Sequence, residues 1–407
     1  MKRESKTGLH PSQFIIRSFP KTAALFVLVV LLLAPGLRAS GHAPENGGQS
    51  LEVAQGPAKG QSPFSSRQSP VAVREADFYR KLGNNLVACD LCPRRCVIAP
   101  GQRGFCRARE NRDGKLYSVV YGHPCSLNKE PIEKAPFFHF LPGSERITLA
   151  TAGCNQTCKY CQNWEISQAR MEDLQNYNLS PSDVVALAVE EKVPIICFTY
   201  SEPTVFYEYM IDIARLARAK GIRTAVVTGG YINPEPLKQL CSLVDAIKID
   251  LKGFTPEFYQ SVCGSTLEPV LEACKTVAQT QTHLELVNLV VPALNDDTAT
   301  IRKMCRWIRD SLGDTIPVHF TRFYPQYRLQ NSPATPIATL ERTIAIARSE
   351  GLKFTYIGNV PGNASENTYC PKCGKTVIQR SGYTIVDNKL KDGNCPFCGT
   401  HIPGVWQ

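Results

Sequence analysis

The sequence predicts an α/β fold in which βα units surround a mostly parallel, TIM-like partial barrel. The first observation is that short apolar runs rich in Ile, Val, Phe and Thr alternate with helical patterns from about residue 146 to 358. The second is that 11 of the 17 cysteines fall into three groups. One group precedes this region, one follows its first predicted strand, and one lies C-terminal to the region. We therefore expect a barrel flanked by an N-terminal cysteine-rich segment and a C-terminal zinc-ribbon-like module.

The chain is long enough for one large domain with smaller additions. Its composition, 43% hydrophobic and 20% charged residues, fits a globular protein with a substantial core. The net charge of +10 is spread along the chain, so we expect a solvated surface and no nucleic-acid module. The expected domains are a signal peptide or membrane anchor (1–40), a flexible linker (41–75), the cysteine-rich segment (76–140), the barrel (141–360) and the zinc-ribbon-like module (361–407).

The N-terminus resembles a targeting segment. Basic residues precede the apolar run 22–34, and Ala39 offers a small residue for cleavage. This pattern predicts membrane association through the N-terminus, or export. A protein that faces the cytoplasm stays open as the alternative. The segment 41–70, rich in Gly, Pro and Ser, predicts the linker, and 76–82 predicts a short helix.

The barrel elements are read from hydrophobic periodicity. The predicted strands are 147–152, 195–200, 223–228, 246–251, 284–291, 318–323 and 354–357. The predicted helices are 183–192, 205–220, 235–243, 267–280, 298–312 and 340–349. Six or seven units are fewer than a full eight-stranded barrel needs, and sites in such barrels lie at the C-terminal ends of the strands.

Three cysteines follow the first predicted strand in the pattern C-x3-C-x2-C: Cys154, Cys158 and Cys161. A 4Fe–4S cluster normally takes four thiolates, so three would leave one iron free to bind a small molecule. A zinc knuckle is the alternative, but structural zinc takes four ligands, and no second cysteine pair lies nearby in the sequence. Three unrelated thiols are the other alternative. The pattern favours a cluster with an open iron.

Two further cysteine groups flank the barrel. Cys370, Cys373, Cys395 and Cys398 form two C-x2-C pairs, each followed by glycine, a spacing typical of a zinc ribbon; a rubredoxin-like iron site is the alternative. Cys89, Cys92, Cys96 and Cys106 form a second four-thiol set, for which we favour zinc and keep an auxiliary cluster as the alternative. Cys125 is a possible addition to that set.

The triplet, with Tyr160 before its third cysteine and the apolar stretch before its loop, resembles the signature of radical SAM enzymes. The segments 121–126 and 131–143, the run Gln-Asn-Trp-Glu-Ile-Ser after the triplet and the C-terminal cysteine pairs extend the resemblance over about residues 85–407. Together they resemble the AmmeMemoRadiSam-system radical SAM enzymes, relatives of the pyruvate formate-lyase-activating enzymes. The resemblance implies an open (βα)6 barrel, with the 4Fe–4S cluster and S-adenosylmethionine (SAM) as cofactors.

The resemblance also implies roles for residues at later strand ends. Glu202, after the second strand, would bind the methionine ammonium group of SAM, and Tyr160 would contribute to cofactor binding. Asp250 and Lys252 lie in an Asp-Leu-Lys run after the fourth strand. Asp250 would position SAM or substrate, and Lys252 would neutralise a carboxylate. The family commonly has Asn where this chain has Gly229, so the resemblance implies no contact from a side chain at that position.

The resemblance implies reductive cleavage of SAM and hydrogen abstraction from a substrate, with a backbone glycine of a protein as the leading choice. Another peptide or a small molecule is the first alternative, and a non-catalytic metal-binding scaffold the second. The implied partners are a one-electron donor such as flavodoxin or ferredoxin, and AMMECR1-type and Memo-type proteins. Metal content separates the enzyme, which needs iron and zinc, from the scaffold.

Overall fold

A computed structural model of the chain describes residues 74–407. The expected signal peptide or membrane anchor and nearly all of the linker lie outside these residues. Within 74–407, no helix combines the length and the apolar character that crossing a membrane requires.

The N-terminal segment consists of two small antiparallel sheets, with strand orders β1-β6-β5 and β2-β3-β4. The strands are β1 (Arg74–Glu75), β2 (Tyr79–Lys81), β3 (Val87–Cys89), β4 (Val97–Ile98), β5 (Arg109–Arg112) and β6 (Lys115–Ser118). The predicted helix over 76–82 is wrong. Phe78 has a φ of 55°, which interrupts a helix, and the following residues pair instead with β3.

An eight-stranded sheet forms the barrel, with its strands in the chain order β7 to β14. They are β7 (Ser126–Pro131), β8 (Glu145–Ala150), β9 (Ile195–Phe198), β10 (Arg223–Thr228), β11 (Ala246–Asp250), β12 (His283–Val290), β13 (Val318–Arg322) and β14 (Thr355–Gly358). Strands β8 to β14 are parallel, as predicted. The antiparallel strand β7, which the sequence did not predict, pairs with β8 at one edge. Because β7 and β14 are opposite edges, the sheet is open.

Helices connect the parallel strands. They are α1 (Trp164–Ser167), α2 (Pro181–Glu190), α3 (Tyr207–Ala219), α4 (Pro234–Cys241), α5 (Pro256–Phe258), α6 (Glu268–Ala278), α7 (Thr298–Leu312) and α8 (Ile337–Ser349). The helices α2, α3, α4, α6, α7 and α8 each link one parallel strand to the next, which makes six βα units before β14. The predicted (βα)6 organisation is therefore confirmed.

The C-terminal module closes the end of the barrel at which the strands begin. Its three-stranded antiparallel sheet comprises β15 (Thr368–Tyr369), β16 (Thr376–Ser381) and β17 (Thr384–Asn388). Phe138, Tyr356 and Ile402 belong to one buried cluster that joins this module to the barrel. His319, early in β13, is fully buried with Nε2 2.6 Å from Glu285 Oε2, and is thus a core residue far from the strands' C-terminal ends.

His139 connects the barrel to the same module. Its Nδ1 lies 2.6 Å from the Pro403 carbonyl oxygen, and its Nε2 lies 2.6 Å from the Tyr356 hydroxyl. The carbonyl can only accept, so Nδ1 carries the hydrogen and Nε2 accepts from Tyr356. Burial lowers the pKa of His139 from 6.5 to about 3. A proton on Nε2 would break the bond to Tyr356.

We expect the free energy of unfolding to fall as the pH falls from 6.5 towards 3, because in this window the unfolded His139 binds a proton that the folded one does not. The contribution is about 1.4 kcal/mol for each pH unit. Denaturant unfolding of the wild type and His139→Gln at several pH values measures it. The variant should show a shallower pH dependence, and equal slopes would contradict the assignment.

Candidate functional site

The cysteine triplet occupies the loop that leaves β8 at its C-terminal end. Cys154 and Cys158 are buried, and Cys161 is half-buried. The Gln156 N–H donates to Cys154 Sγ at 3.3 Å, and Ser167 Oγ lies 3.7 Å from Cys161 Sγ. Burial, and then the charge of Glu202, raise the pKa of Cys154 well above its usual value, and burial raises that of Cys161 to about 11. These thiols therefore need a bound cation to become thiolates near neutral pH.

The spacing of the sulfurs distinguishes the three cysteine groups. Within residues 74–407, one group of His, Cys, Asp or Glu has its ligand atoms all within 4.8 Å of one another, and it is the C-terminal set of four cysteines. The sulfurs of the triplet are not all within 4.8 Å of one another. A multi-iron cluster holds its thiolates further apart than a single ion does, so the triplet is compatible with a cluster.

A π-helical turn, Tyr259–Cys263, supports the triplet loop. The Thr157 N–H donates to the Cys263 carbonyl, and the Lys159 N–H donates to the Val262 carbonyl, each at 2.9 Å. Such turns are frequent at functional sites. The sequence patterns did not reveal this one, because π-helical turns have no periodic signature.

The same turn brings a fourth thiol to the triplet. The Cys263 thiol interacts with Cys158 and raises its pKa well above the usual value, and the hydroxyl of Tyr160 lies 3.7 Å from Cys263 Sγ. Cys263 lies outside the three cysteine groups of the sequence, since it stands 102 positions after Cys161. Tyr160, a predicted cofactor-binding residue, is buried beside these two cysteines.

Glu202 follows β9 and is 2% exposed. Its Oε1 accepts from the Thr204 N–H and hydroxyl and from the Thr228 hydroxyl, at 2.6–3.1 Å. Its Oε2 accepts from the Gly229 N–H at 2.8 Å. A carboxylate oxygen can accept two hydrogen bonds, so Oε2 retains capacity for a further donor. The carboxylate is held rigidly and has one acceptor position left.

The surroundings of residue 229 explain why it is a glycine and not an asparagine. A Cβ at this position would lie less than 3.0 Å from Oε1 of Gln156, which belongs to the triplet loop. Gln156 is held there by a 2.8 Å hydrogen bond from its Nε2 to the Ser265 hydroxyl. The Gln156 amide thus occupies the space beside Glu202 that an asparagine side chain at 229 would need.

Asp250 and Lys252 lie at the C-terminal end of β11, as predicted. Lys252 Nζ is 3.2 Å from Asp250 Oδ2, and the buried Lys248 Nζ is 3.6 Å from Oδ1. Burial favours the neutral form of Lys252, but Asp250 and the thiols of Cys158 and Cys263 outweigh it and raise the pKa well above its usual value. Burial likewise opposes ionisation of Asp250, but Lys252 and Lys248 lower its pKa. One carboxylate between two lysines leaves a surplus positive charge beside Cys158 whenever Lys248 is protonated.

The flanking cysteines also come together. In the C-terminal module, Cys370 Sγ lies 3.5 Å from Cys398 Sγ, and Cys373 Sγ lies 3.7 Å from Cys395 Sγ. Sulfurs about 3.8 Å apart are what a tetrahedral zinc ion with Zn–S bonds of about 2.3 Å requires. All four cysteines of the N-terminal set line one cavity: Cys89, Cys92, Cys96 and Cys106. Cys125 belongs to a different buried cluster and is not among the residues that line this cavity.

The chain is similar to known proteins over the region that holds this site. The model of the Radical SAM superfamily matches residues 148–308, which include the triplet, Glu202, Asp250 and Lys252. The uncharacterized protein MJ0808 of Methanocaldococcus jannaschii is 46% identical over 332 residues, covering 81% of this chain and 99% of that protein. The pyruvate formate-lyase 1-activating enzyme of Escherichia coli strain K12 is 24% identical over 242 residues, 53% of this chain and 93% of that enzyme. A domain of the pyruvate-formate lyase-activating enzyme from Bacteroides vulgatus aligns with a TM-score of 0.37 and 20% identity, over 40% of this chain and 98% of that one.

Proposed function

Because this chain belongs to the radical SAM superfamily and is homologous to pyruvate formate-lyase-activating enzymes, we propose that it abstracts a hydrogen atom from a backbone glycine of a protein substrate. The observation that carries the proposal is the triplet of thiols at the barrel mouth, with the Asp250–Lys252 pair directly beside Cys158. The membership makes the chain an enzyme of the radical SAM class. Our proposal goes beyond this membership in naming a backbone glycine as the substrate.

The donor set fits a 4Fe–4S cluster, because three buried or half-buried thiols share one loop and their sulfurs are not all within 4.8 Å of one another. Cys154, Cys158 and Cys161 would hold it. Together with SAM, a bound cluster supplies reductive cleavage of the sulfonium to methionine and a hydrogen-abstracting 5′-deoxyadenosyl radical.

The residues around the triplet suit the two charged groups of the methionine part of SAM. The free acceptor position on Glu202 Oε2 would receive a hydrogen bond from the ammonium group. The Lys252 ammonium would neutralise a carboxylate, either of SAM or of the substrate. Asp250 holds Lys252 in place through this half-buried ion pair.

Homology to the activating enzymes supports a glycine in a polypeptide as the substrate. A glycine has no side chain, so its α-carbon can approach a buried site closely. A one-electron donor such as flavodoxin or ferredoxin would supply the electron. We propose AMMECR1-type and Memo-type proteins as partners on the sequence resemblance, and either is a candidate for the protein substrate.

We further propose that the C-terminal module binds zinc, since its four sulfurs all lie within 4.8 Å of one another. Such a site would be structural: four protein thiolates fill the coordination sphere and leave no position for a substrate. Its place at the end of the barrel opposite the triplet agrees with this role.

Transfer of deuterium tests the glycine proposal. The full chain, reconstituted anaerobically with iron and sulfide, is incubated with SAM, dithionite and an AMMECR1-type or Memo-type protein prepared with α-deuterated glycine. We expect deuterium in 5′-deoxyadenosine, measured by mass spectrometry, and none when the partner carries unlabelled glycine. Formation of 5′-deoxyadenosine without deuterium transfer from either partner would overturn the glycine proposal and leave another peptide or a small molecule as the substrate.

A further inference from the structure

The four cysteines of the N-terminal segment surround one cavity. Cys89 ends β3, Cys92 and Cys96 lie in the loop before β4, and Cys106 precedes β5. We propose that these four thiols bind a second iron–sulfur cluster rather than a zinc ion. The inference goes beyond the proposed function, since it concerns a site that hydrogen abstraction by the triplet does not require.

The argument against zinc is geometric. No three of these four cysteines have their sulfurs within 4.8 Å of one another, although all four line the same cavity. The C-terminal set of the same chain has four sulfurs within that distance, as one tetrahedral ion demands. Four thiols that face one cavity but stand further apart match a larger metal core, such as a 4Fe–4S cubane with four thiolate ligands.

The polar surroundings of the sulfurs fit a cluster. Cys89 Sγ lies 4.0 Å from Arg109 Nη1, and Cys96 Sγ accepts from the Phe105 N–H at 3.5 Å. Two of the four sulfurs therefore have a donor. Hydrogen bonds to the sulfurs are among the features that stabilise reduced iron–sulfur clusters and set their potential.

A buried cation completes the site. Arg109 lines the cavity and is 1% exposed, paired with the buried Glu208, and its Nε has no hydrogen-bond partner. Glu208 pairs with the guanidinium, but the buried Nε donor stays costly unless a further acceptor lies beside it. A cluster with four thiolate ligands carries net negative charge and would provide that partner.

The cavity adjoins the triplet loop. Arg94 donates from Nε to the Asn155 carbonyl at 2.9 Å and from Nη2 to the Gly264 carbonyl, and so ties the N-terminal loop to the triplet and to the π-helical turn. Asn155, next to Cys154, itself lines the cavity. The proposed second cluster therefore lies directly behind the loop that carries the first.

Removing the triplet isolates the second site. The full-length variant C154A/C158A/C161A is reconstituted anaerobically with iron and sulfide, and its iron, zinc and acid-labile sulfide are measured. We expect it to keep about four irons and about four sulfides per chain, with an electron paramagnetic resonance signal after reduction, and about one zinc. Loss of all iron and sulfide, with about two zinc ions per chain, would overturn the proposal.

The reciprocal variant C92A/C96A should lower the iron of the wild type from about eight to about four per chain and leave zinc unchanged. Cys125→Ala, which removes a buried thiol that does not line the cavity, should change neither metal. Cys373→Ser should lower zinc and spare iron. If C92A/C96A is insoluble, the triplet variant alone decides. An unchanged iron content in a soluble C92A/C96A protein would contradict the assignment.

Discussion

Replacing Cys158 by alanine should abolish formation of 5′-deoxyadenosine from SAM and lower the iron content, while zinc stays constant. The reason is ligand number: three thiolates are the smallest set that holds the cluster with one open iron, and Cys158 is the middle member of the triplet. The assay is anaerobic, with reconstituted full-length protein, dithionite and SAM, and the product is quantified by mass spectrometry. Cys305→Ala, which removes a buried thiol on α7, is the matched control and should retain activity.

A second variant, at Cys263, extends this experiment. The Cys263 thiol interacts with Cys158, so it is a candidate to replace the lost ligand. If Cys158→Ala keeps its iron, the double variant C158A/C263A distinguishes two explanations. Either Cys263 has replaced Cys158 as a ligand, or the triplet is not the cluster site. If iron is lost in the double variant but kept in Cys158→Ala, Cys263 substitutes for Cys158. Full activity in the double variant would contradict the assignment of the triplet as the cluster site.

Gly153→Ala should strongly destabilise the protein and lower the iron content. Gly153 precedes the first triplet cysteine, has a φ of 98°, and a Cβ there would lie less than 3.0 Å from the Cys106 carbonyl oxygen. The clash is with backbone, so no rotamer change relieves it, and the triplet loop and the N-terminal cysteine segment must move apart. We expect a loss of more than about 3 kcal/mol, measured by denaturant unfolding with parallel iron analysis.

Gly221→Ala is the control for backbone strain. Gly221 has a φ of 70° but nothing within 4 Å of the added Cβ, and it lies just after α3. Alanine there should cost only about 1 kcal/mol and leave iron unchanged. Equal losses for the two variants would show that the close contact between Gly153 and Cys106 is not what holds the two segments together.

Much of the fold follows from local patterns. The seven predicted parallel strands are present with boundaries within a few residues, because buried strands in such a sheet are continuous apolar runs and helices show a period of 3.6. Strand β7 was missed because Ser126–Pro131 contains Asn, Lys and Glu, and only its pairing with β8 at the sheet edge makes it a strand. The helix predicted over 76–82 failed for the same reason, since pairing with β3 outweighs local propensity.

The residues of the candidate sites show the same difference between local sequence patterns and tertiary contacts. The sequence by itself determined which thiols belong together, since the ligands of the triplet and of the C-terminal set stand at short, regular spacings. Only the tertiary structure placed Cys263 beside Cys158, put Gln156 into the space that Gly229 leaves, and kept the sulfurs of the N-terminal set from lying all within 4.8 Å of one another. The physical reason is that spacing within a loop is set by a few neighbouring residues, whereas a contact between residues far apart in the chain depends on how the whole core packs.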